Sequence, residues 1–408
     1  MKTNLVAGLD IGSTKTCAVL AEVLADPHGR IDVKIRGVGT TRTGGIRREV
    51  VTDIEGTTAS VRHAMKEAEL QGGIAVDRVY IGVAGDHIHA RNSSGVVAVQ
   101  GEEIDAADVR RVHDVARAVV VPADREVLHV IPQGYTLDHR NGIRDPIGMA
   151  GTRLEADVYI ITSSKTATQY LHKAVGRAGY RIEAMIHEPL ATARGVVTDD
   201  EKDVGVALID LGGGTTELSV FRDGKLRHIA SIPWGGSTLT SDLAKGLAVT
   251  FAEAEKAKEK HGVAFAQMVD PREAVELPGP GPGTRRDVPR ELIAHIIEQR
   301  LDEMLGLVAK EIDSAGEAGK LGAGVVLTGG GASLTGIAEV ARYVFSMPVR
   351  VGTPGAGLSG LSDSVMLPQY ATATGLALLA AERVAVASGI RIDGGLTGRV
   401  MAWIREFF

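Results

Sequence analysis

Two aspartates each follow an apolar run, and each comes just before glycine and small polar residues. Asp10 follows the run at residues 5–9, and Asp210 follows the run at residues 206–209. The residues after the first aspartate include Gly12, Ser13, Thr14 and Lys15, and those after the second include Gly212, Gly213, Gly214 and Thr215. A β-rich run comes next in both places. The pattern predicts two β-hairpins with glycine at the tip, where a ligand can approach backbone N–H groups.

The two predicted turns carry the hydrogen-bond donors that phosphate groups need. Backbone N–H groups, the hydroxyls of Ser13 and Thr14 and the Lys15 ammonium together suit the oxygens of a triphosphate. Asp10 and Asp210 are suited to hold Mg²⁺ through its water molecules, because Mg²⁺ keeps part of its hydration shell. The alternative is an ordinary tight turn with a solvated aspartate. Two copies in one chain favour a duplicated domain with a ligand between the halves.

A third glycine-rich turn follows an apolar strand at residues 324–328. Its residues are Gly329, Gly330, Gly331 and Ala332. Glycine lets the backbone come close to a flat group such as adenine or to an α-phosphate. The alternative is a loop, since a glycine-rich strand end often has no other role.

Three charged residues are further candidates for a nucleotide site. Glu255 and Lys258 lie three apart, hence on one helical face, where they would bond a ribose hydroxyl and cover the base. The alternative is a solvated helix face. Glu188 precedes Pro189 at a strand-to-helix junction, and its carboxylate would orient the water that attacks a γ-phosphate. The alternative is an acidic residue that the helix dipole stabilises.

The elements that must position these residues follow an α/β order. A third strand is predicted at residues 33–40, a helix at 54–70 after the N-cap Asp53, and a strand at 78–83. Residues 84–161 have a different sequence pattern and are interpreted as a small α+β insertion. The second half, from residue 204, again begins with strands and continues with helices. The predicted fold class is therefore an α/β layer fold with two similar halves.

Composition sets the broad class of protein. The 408 residues are 44% hydrophobic, which is enough to fill the cores of two or more domains. The formal net charge of −6 gives no overall attraction to nucleic acid, so no nucleic-acid partner is expected. The single cysteine, Cys17, excludes an internal disulfide framework and is expected to be a buried apolar residue. No apolar stretch reaches the length of about 18 residues that spans a membrane, so a cytoplasmic protein is predicted.

The C-terminal residues 394–408 have a different pattern. Two glycines open the segment, and its apolar residues fall on one helical stripe. The stripe consists of Leu396, Val400, Trp403, Ile404 and Phe407. Such a helix is marginal in water, but it could lie in a bilayer interface with its arginines toward anionic lipid. The alternative is a terminal helix that docks on its own domain.

Together these motifs resemble those of the actin/Hsp70/sugar-kinase superfamily. Residues 9–15 are similar to its first phosphate motif, residues 209–215 to its second and residues 326–332 to its adenosine motif. Residues 188–191 are similar to its inter-domain connection. The resemblance implies duplicated actin-like, ribonuclease-H-like domains with ATP and Mg²⁺ in a cleft between two lobes. It also implies that Glu255 and Lys258 contact adenosine.

Within this superfamily the chain resembles the FtsA family of bacterial cell-division proteins over nearly its whole length. The resemblance rests on residues 145–156, on residues 232–243 (which include Gly235 and Gly236), on the position of the insertion and on the amphipathic tail. It implies an ATP-binding protein, with weak ATPase activity at most, that polymerises at the cytoplasmic face of the inner membrane as a peripheral protein. It also implies nucleotide contacts at Gly235 and Gly236. The implied partners are the FtsZ C-terminal tail, further copies of the chain and later divisome proteins.

The resemblance also implies a division of the chain. Residues 1–83 and 162–197 would form one actin-like subdomain, and residues 198–236 and 301–383 the other. Residues 84–161 would form the inserted subdomain, residues 237–300 the FtsZ-binding subdomain, residues 384–393 a linker and residues 394–408 the membrane-targeting helix. Two alternatives remain at this point: a pilus-assembly actin homologue, and a small-molecule kinase or reactivating ATPase of the same superfamily.

Overall fold

The computed structural model describes residues 4–25, 31–279, 283–355 and 357–387. Within these residues the chain forms two α/β lobes, each built on a mixed sheet, and a smaller antiparallel sheet that is inserted within the sequence of the first lobe. The predicted amphipathic tail at residues 394–408 lies outside the described residues. None of the described helices combines the length and the apolar character needed to cross a lipid bilayer.

The first lobe begins with a three-stranded meander followed by a helix and a parallel strand. Its elements are β1 (Leu5–Ile11), β2 (Lys15–Ala25), β3 (Ile31–Arg42), β4 (Ile46–Arg47), β5 (Val50–Val51), α1 (Ile54–Gly72) and β6 (Arg78–Val83). β1 pairs antiparallel with β2, and β2 pairs antiparallel with β3, so the predicted first hairpin is confirmed. The Asp53 side chain accepts a hydrogen bond of 3.0 Å from the Glu55 backbone N–H and begins α1 as predicted.

The inserted part is an antiparallel sheet with one helix on it. Its elements are β7 (His89–Ala98), α2 (Ala106–Arg117), β8 (Arg125–Leu137), β9 (Arg140–Ile143) and β10 (Arg153–Ser164), in the sheet order β7-β10-β8-β9. A capping box between Asp105 and Asp108 begins α2. β10 pairs antiparallel with β7 and β8 up to its last residues, so it continues past residue 161, where the predicted insertion ends.

After the insertion the chain completes the first lobe. The elements are α3 (Lys165–Ala178), β11 (Arg181–His187), α4 (Glu188–Val196) and α5 (Asp199–Val204). β11 pairs in parallel with β6 and extends the first sheet. α4 begins directly at the end of β11, so Glu188 stands at the strand-to-helix junction as expected from the sequence.

The second lobe repeats the strand pattern of the first. Its elements are β12 (Val206–Leu211), β13 (Thr216–Arg222), β14 (Lys225–Ile232), α6 (Gly236–Gly246), α7 (Phe251–His261), β15 (Ala274–Pro278), β16 (Arg285–Pro289), α8 (Arg290–Ser314), β17 (Gly324–Thr328), α9 (Ile337–Phe345) and β18 (Val349–Val351). The order β14-β13-β12-β17-β18 matches β3-β2-β1-β6-β11. In both sheets the first two pairs are antiparallel and the last two are parallel. The two lobes therefore share one topology, as the paired motifs predict.

The end of the described chain returns to the first lobe. β19 (Leu358–Gly360) pairs in parallel with β3, and α10 (Ala371–Ala387) packs on β1, β2 and α4. Leu376 and Ala377 of α10 are fully buried in one core with Val6, Cys17 and Val19. This packing differs from the predicted division, which gave residues 301–383 to the second lobe and began a linker at residue 384. Cys17 is fully buried, as expected.

Successive residues of a strand point to opposite sides of the sheet. In the first sheet both sides carry buried apolar residues, and each side is covered by a helix. Ala7, Leu9 and Leu20 face away from α10 and pack with Val61 and Met65 of α1. The sheet is thus held between α1 on one side and α10 on the other. Both hairpin turns project from the ends of well-packed strands.

Candidate functional site

The two predicted glycine turns meet at the boundary between the lobes. A Cβ atom on Gly213 would overlap the side chain of Thr14, and one on Gly214 would overlap the side chain of Ser13. Within the first turn, the Gly12 backbone N–H donates to the Lys15 carbonyl oxygen at 3.1 Å. Glycine is thus required at Gly213 and Gly214 for this approach, because any larger residue would push the turns apart.

The two aspartates lie close together behind the turns. Burial and, less strongly, the neighbouring Asp210 raise the pKa of Asp10 to about 6, although Lys15 opposes the shift. Burial also raises the pKa of Asp210, whose carboxylate accepts hydrogen bonds from Thr372 at 3.1 Å and from Thr192 at 3.4 Å. The structure therefore brings together the two carboxylates that the sequence analysis paired.

The Lys15 side chain extends from the first glycine turn to the segment that precedes α10. Its ammonium donates a hydrogen bond to the carbonyl oxygen of Gln369 and lies 4.7 Å from the centre of the Tyr370 ring. The same ammonium lowers the pKa of Asp10 and of Asp210, so it also lies near both carboxylates. The lysine is therefore placed where it can neutralise negative charge between the two aspartates.

The third glycine turn packs on the end of β12, directly before the second turn. Gly329 has a φ of 82°, and a Cβ atom there would overlap the Oδ1 atom of Asp210. A Cβ on Gly331 would lie 2.8 Å from the Cβ of Leu211. The buried Ala332 donates its backbone N–H to the Gly329 carbonyl oxygen at 3.2 Å. The backbone of residues 329–332 thus borders the site, whereas a Cβ on Gly330 would point into open space.

The segment at Gly235 and Gly236 lies between the second glycine turn and the pair formed by Glu255 and Lys258 on α7. The Gly236 N–H donates to the Gly212 carbonyl oxygen at 2.9 Å. Lys258 donates to the Gly236 carbonyl oxygen at 3.0 Å and pairs with Glu255 at 2.9 Å. Glu255 and Lys258 therefore share one face of α7, as their spacing predicts, and that face points to the glycine segment rather than to open solvent.

Glu188 lies among the other carboxylates. A Cβ on Gly82 would be 2.6 Å from the Cγ of Glu188, so the absence of a side chain in β6 makes room for it. Burial raises the pKa of Glu188 well above its usual value, and Glu49, Asp10 and other neighbouring carboxyl groups raise it further. The structure thus places Glu188 at the same centre as Asp10.

Two carboxylates of this centre were not identified from the sequence. Glu217 lies directly opposite Asp210 in the β12–β13 hairpin, and burial raises its pKa to about 7 although Ser231 donates a hydrogen bond to it at 2.7 Å. Glu217 could have been identified from the sequence, because counting residues outward from the turn pairs it with Asp210 in the predicted hairpin. Glu49 lies in the β4–β5 hairpin, where burial raises its pKa to about 8. Its position depends on contacts with distant residues, so the local sequence gives no signal for it.

The buried carboxyl groups of the site suit a magnesium–nucleotide complex. The raised pKa values of Asp10, Glu49, Glu188, Asp210 and Glu217 show that burial and mutual repulsion disfavour their ionised forms here. A divalent cation in this place would offset that repulsion. Within the described residues, no group of three or more carboxylate, imidazole or thiol side chains could hold a metal ion by direct coordination. Contacts to Mg²⁺ through water fit this arrangement.

A cavity of about 500 Å³ opens beside the contact between the two turns. Ser13 and Gly214 line it on the side of the turns, and Arg47 and Arg48 line it from the first lobe. Its remaining lining residues are Ile46, Trp234, Ser237, Thr238, Ser241, Asp242, Lys245 and Arg300. The lining combines cationic and hydroxyl groups from both lobes, which is the chemistry that anionic ligands need.

Comparison with solved structures shows the fold. The PilM–PilN type IV pilus biogenesis complex is similar with a TM-score of 0.65 and 16% identity, covering 92% of this chain and 98% of that chain. MreB5 of Spiroplasma citri bound to ADP is similar with a TM-score of 0.57 and 13% identity, covering 95% and 99%. The predicted actin-like α/β fold with two lobes and an insertion is confirmed.

Comparison of sequences shows the family. The chain matches the family model "Cell division protein FtsA" over residues 207–375 and "SHS2 domain inserted in FTSA" over residues 85–162. It is 38% identical to the cell division protein FtsA of Pseudomonas aeruginosa, over 96% of this chain and 93% of that protein. It is 36% identical to that of Escherichia coli strain K12, over 99% and 96%. The chain therefore belongs to the FtsA family of actin-like cell division proteins.

Proposed function

We propose that the chain binds Mg·ATP in the cleft between its two lobes. The observation that carries this proposal is the direct contact between the turns at Ser13–Thr14 and Gly213–Gly214, one from each lobe. Backbone N–H groups of both turns, the hydroxyls of Ser13, Thr14 and Thr215 and the Lys15 ammonium would bind phosphate oxygens. A cleft that closes on the phosphates from both sides couples nucleotide binding to the relative position of the lobes.

Asp10 and Asp210 would hold Mg²⁺ through its water molecules. The ion would neutralise charge on the phosphates, and the threonines that bond Asp210 would fix the orientation of that carboxylate. Glu188 is the candidate to orient an attacking water for any hydrolysis, because it lies at the same centre and stands at the start of a rigid helix. Asp10, Asp210 and Glu188 thus form the proposed catalytic set.

The adenosine part of the nucleotide would bind on the second lobe. Glu255 and Lys258 would meet the ribose and the base, and their mutual ion pair already fixes both side chains. The backbone of residues 329–332 and of residues 235–236 would approach the adenine and the α-phosphate. Residues 235–236 contact the second glycine turn, residues 329–332 contact Asp210 and Leu211 just before it, and Lys258 bonds Gly236, so one nucleotide could contact these segments together.

The cellular role follows from membership of the FtsA family, whose members act in cell division. We propose that the chain polymerises on the cytoplasmic face of the inner membrane and tethers the FtsZ ring to it. The FtsZ C-terminal tail would dock on the subdomain at residues 237–300, and the insertion at residues 84–161 would contact neighbouring copies and later divisome proteins. The apolar stripe of residues 394–408 would lie in the membrane interface.

Substitution of Asp210 tests the nucleotide site. Mg·ATP affinity is expected to fall at least tenfold in Asp210→Asn, because the amide cannot orient the hydrated cation as the carboxylate does. Asp210→Asn keeps the size of the side chain, and a thermal unfolding curve checks that it folds. Asp302→Ala, on an exposed position of α8, is the control and should leave the affinity unchanged. Equal affinities of Asp210→Asn and the native chain in a calorimetric titration would contradict the proposed site.

A further inference from the structure

The short β4–β5 hairpin lies against the first phosphate turn. Its two tip residues, Arg48 and Glu49, have φ values of 48° and 61°. Both are in the left-handed region, which glycine adopts freely and which costs other residues about 1 kcal/mol or more each. Two adjacent residues held in this conformation need compensating contacts, and the contacts of Glu49 show what they are.

The Glu49 side chain accepts hydrogen bonds from both donors of Ser13. The Ser13 hydroxyl donates to Oε1 of Glu49 at 2.8 Å, and the Ser13 backbone N–H donates to the same oxygen at 3.2 Å. In return, the Glu49 backbone N–H donates to the Ser13 hydroxyl oxygen at 3.0 Å. The tip is also packed against the second turn, since a Cβ on Gly214 would lie 3.3 Å from the Cα of Arg48. The hairpin tip thus contacts both glycine turns.

The donors that Glu49 occupies are the ones that a phosphate group would need. The Glu49 carboxyl oxygen and a phosphate oxygen are both hydrogen-bond acceptors, and one Ser13 hydroxyl proton cannot serve both. We infer that Glu49 stands in for a nucleotide phosphate and must leave Ser13 before the β- and γ-phosphates can bind. The inference rests on the proposed function, because it assigns a competitor to the same phosphate site.

The surroundings of the hairpin favour its release. Burial and, less strongly, the carboxyl groups of Asp10 and Glu217 raise the pKa of Glu49 to about 8, so the ionised form of Glu49 is disfavoured at its present position. Ile46, Arg47 and Arg48 line the cavity of about 500 Å³, so the hairpin has open space on one side. Loss of the Ser13 bonds would also remove the contacts that hold Arg48 and Glu49 in the left-handed conformation. Nucleotide binding would therefore free the hairpin to move away from the turn.

Titrations of the native chain and of Glu49 variants with Mg·ATP and with AMP test this inference. Glu49→Ala removes the oxygen that accepts the Ser13 hydrogen bonds, and Glu49→Gly also relieves the left-handed strain. Both are expected to bind Mg·ATP about tenfold more tightly, because a larger fraction of molecules is competent to bind. AMP, which lacks the β- and γ-phosphates, should bind the native chain and both variants equally. Glu55→Gln, an exposed position on α1, is the control and should match the native chain.

The outcomes separate this inference from the proposed function. Mg·ATP affinity that is unchanged or weaker in both folded variants, while the native chain binds, would overturn the inference alone. An equal gain for AMP would also overturn it, because the substitutions would then open the whole cleft. Absence of Mg·ATP binding by the native chain and every variant would overturn the proposed function and the inference with it. In the native chain, hydrogen exchange at residues 46–51 should become faster on addition of Mg·ATP, and unchanged exchange would count against release of the hairpin.

Discussion

Gly329 shows how closely the backbone of the third turn approaches the carboxylates of the site. Its φ of 82° is unfavourable for other residues, and the Oδ1 atom of Asp210 occupies the place where a side chain would begin. Its neighbour Gly330 has no heavy atom within 4 Å of the corresponding position. The two adjacent glycines thus have different physical reasons for being present, although the sequence does not distinguish them.

This difference predicts that substitutions at the two neighbouring glycines have unequal effects on stability. Gly329→Ala is expected to lower the free energy of unfolding by about 2 kcal/mol, because it adds both backbone strain and a clash with Asp210. Gly330→Ala should change it by less than about 0.5 kcal/mol. Chemical denaturation of the two variants at neutral pH measures both values. Equal destabilisation by the two substitutions would show that Gly329 is not uniquely constrained.

Two buried histidines give the fold a predictable dependence on pH. Burial lowers the pKa of His187 to about 4 and lowers the pKa of His129 well below its usual value. The His187 backbone N–H donates to Nε2 of His129 at 2.9 Å, which requires that ring nitrogen to be unprotonated. At these two histidines the folded state therefore binds fewer protons than the unfolded state between the folded pKa values and about 6.5.

The contribution of these two histidines to the free energy of unfolding is thus expected to fall as the pH is lowered below about 6.5, whereas the buried carboxyl groups with raised pKa values contribute a slope of the opposite sign. Each of the two histidines contributes a slope of up to about 1.4 kcal/mol per pH unit. His129→Gln should differ from the native chain by the loss of one histidine contribution to the slope, whereas the exposed variant His172→Gln should keep the native slope. Denaturant unfolding at several pH values between about 5 and 7, chosen to bracket this range, provides the measurement. Parallel slopes for all three proteins would contradict the assignment.

At the residue level, sequence patterns identified the site where the signal is local. Asp10 and Asp210 each end an apolar run before glycine, so the positions of both could be predicted. Glu49 could not, because its role depends on Ser13, which lies 36 residues away in the chain. Nothing in the residues around Glu49 indicates that the β4–β5 hairpin folds back onto the first turn.

Among the secondary-structure elements, α10 depends most on close packing. A Cβ on Gly375 would overlap the Ala191 carbonyl oxygen of α4, and a Cβ on Gly8 of β1 would lie 2.6 Å from the Ala377 backbone nitrogen. Glycine at these positions lets α10 approach a helix and a strand at once. The sequence predicts a helix here, but α10 is apolar on every side, so its pattern does not show which lobe it packs against.

Two helical glycines allow a matched test of this packing. Gly375→Ala is expected to lower the free energy of unfolding by about 3 kcal/mol, because a close-packed backbone has no room for the methyl group. Gly306→Ala, in α8 where no heavy atom lies within 4 Å of the added Cβ, should raise it by about 0.5–1 kcal/mol. Chemical denaturation of both variants gives the comparison. Stabilisation of the protein by Gly375→Ala would contradict the packing of α10 on α4.

For the molecule as a whole, one hydrophobic core links the insertion to the second lobe. Tyr159 and Ile161 of β10 pack with Leu208 of β12, Phe221 of β13 and Val196 of α4. The inserted sheet is therefore not an isolated appendage, and its position is fixed by the same helix that begins at Glu188. The duplicated topology followed from the paired motifs in the sequence. This long-range core did not, since it joins residues that no local pattern relates.

The proposed membrane tether is a property of the full chain. The full-length protein is expected to sediment with anionic liposomes, and Trp403→Glu should lose most of this binding, because a charge on the apolar stripe must be desolvated. Ala402→Glu adds the same charge on the opposite side of the predicted helix and should retain binding. Equal sedimentation of the two variants would show that the stripe does not face lipid. Failure of the native chain to sediment would contradict the tether itself.

The central claim is that two glycine-tipped hairpins, one from each lobe, bind the phosphates of a single nucleotide. The most direct test is a crystal structure of the chain with Mg²⁺ and a non-hydrolysable ATP analogue. We predict phosphate oxygens within hydrogen-bond distance of residues 12–15 and of residues 212–215, with the metal between Asp10 and Asp210. A nucleotide that contacts only one of the two turns, or that binds away from both, would contradict the account.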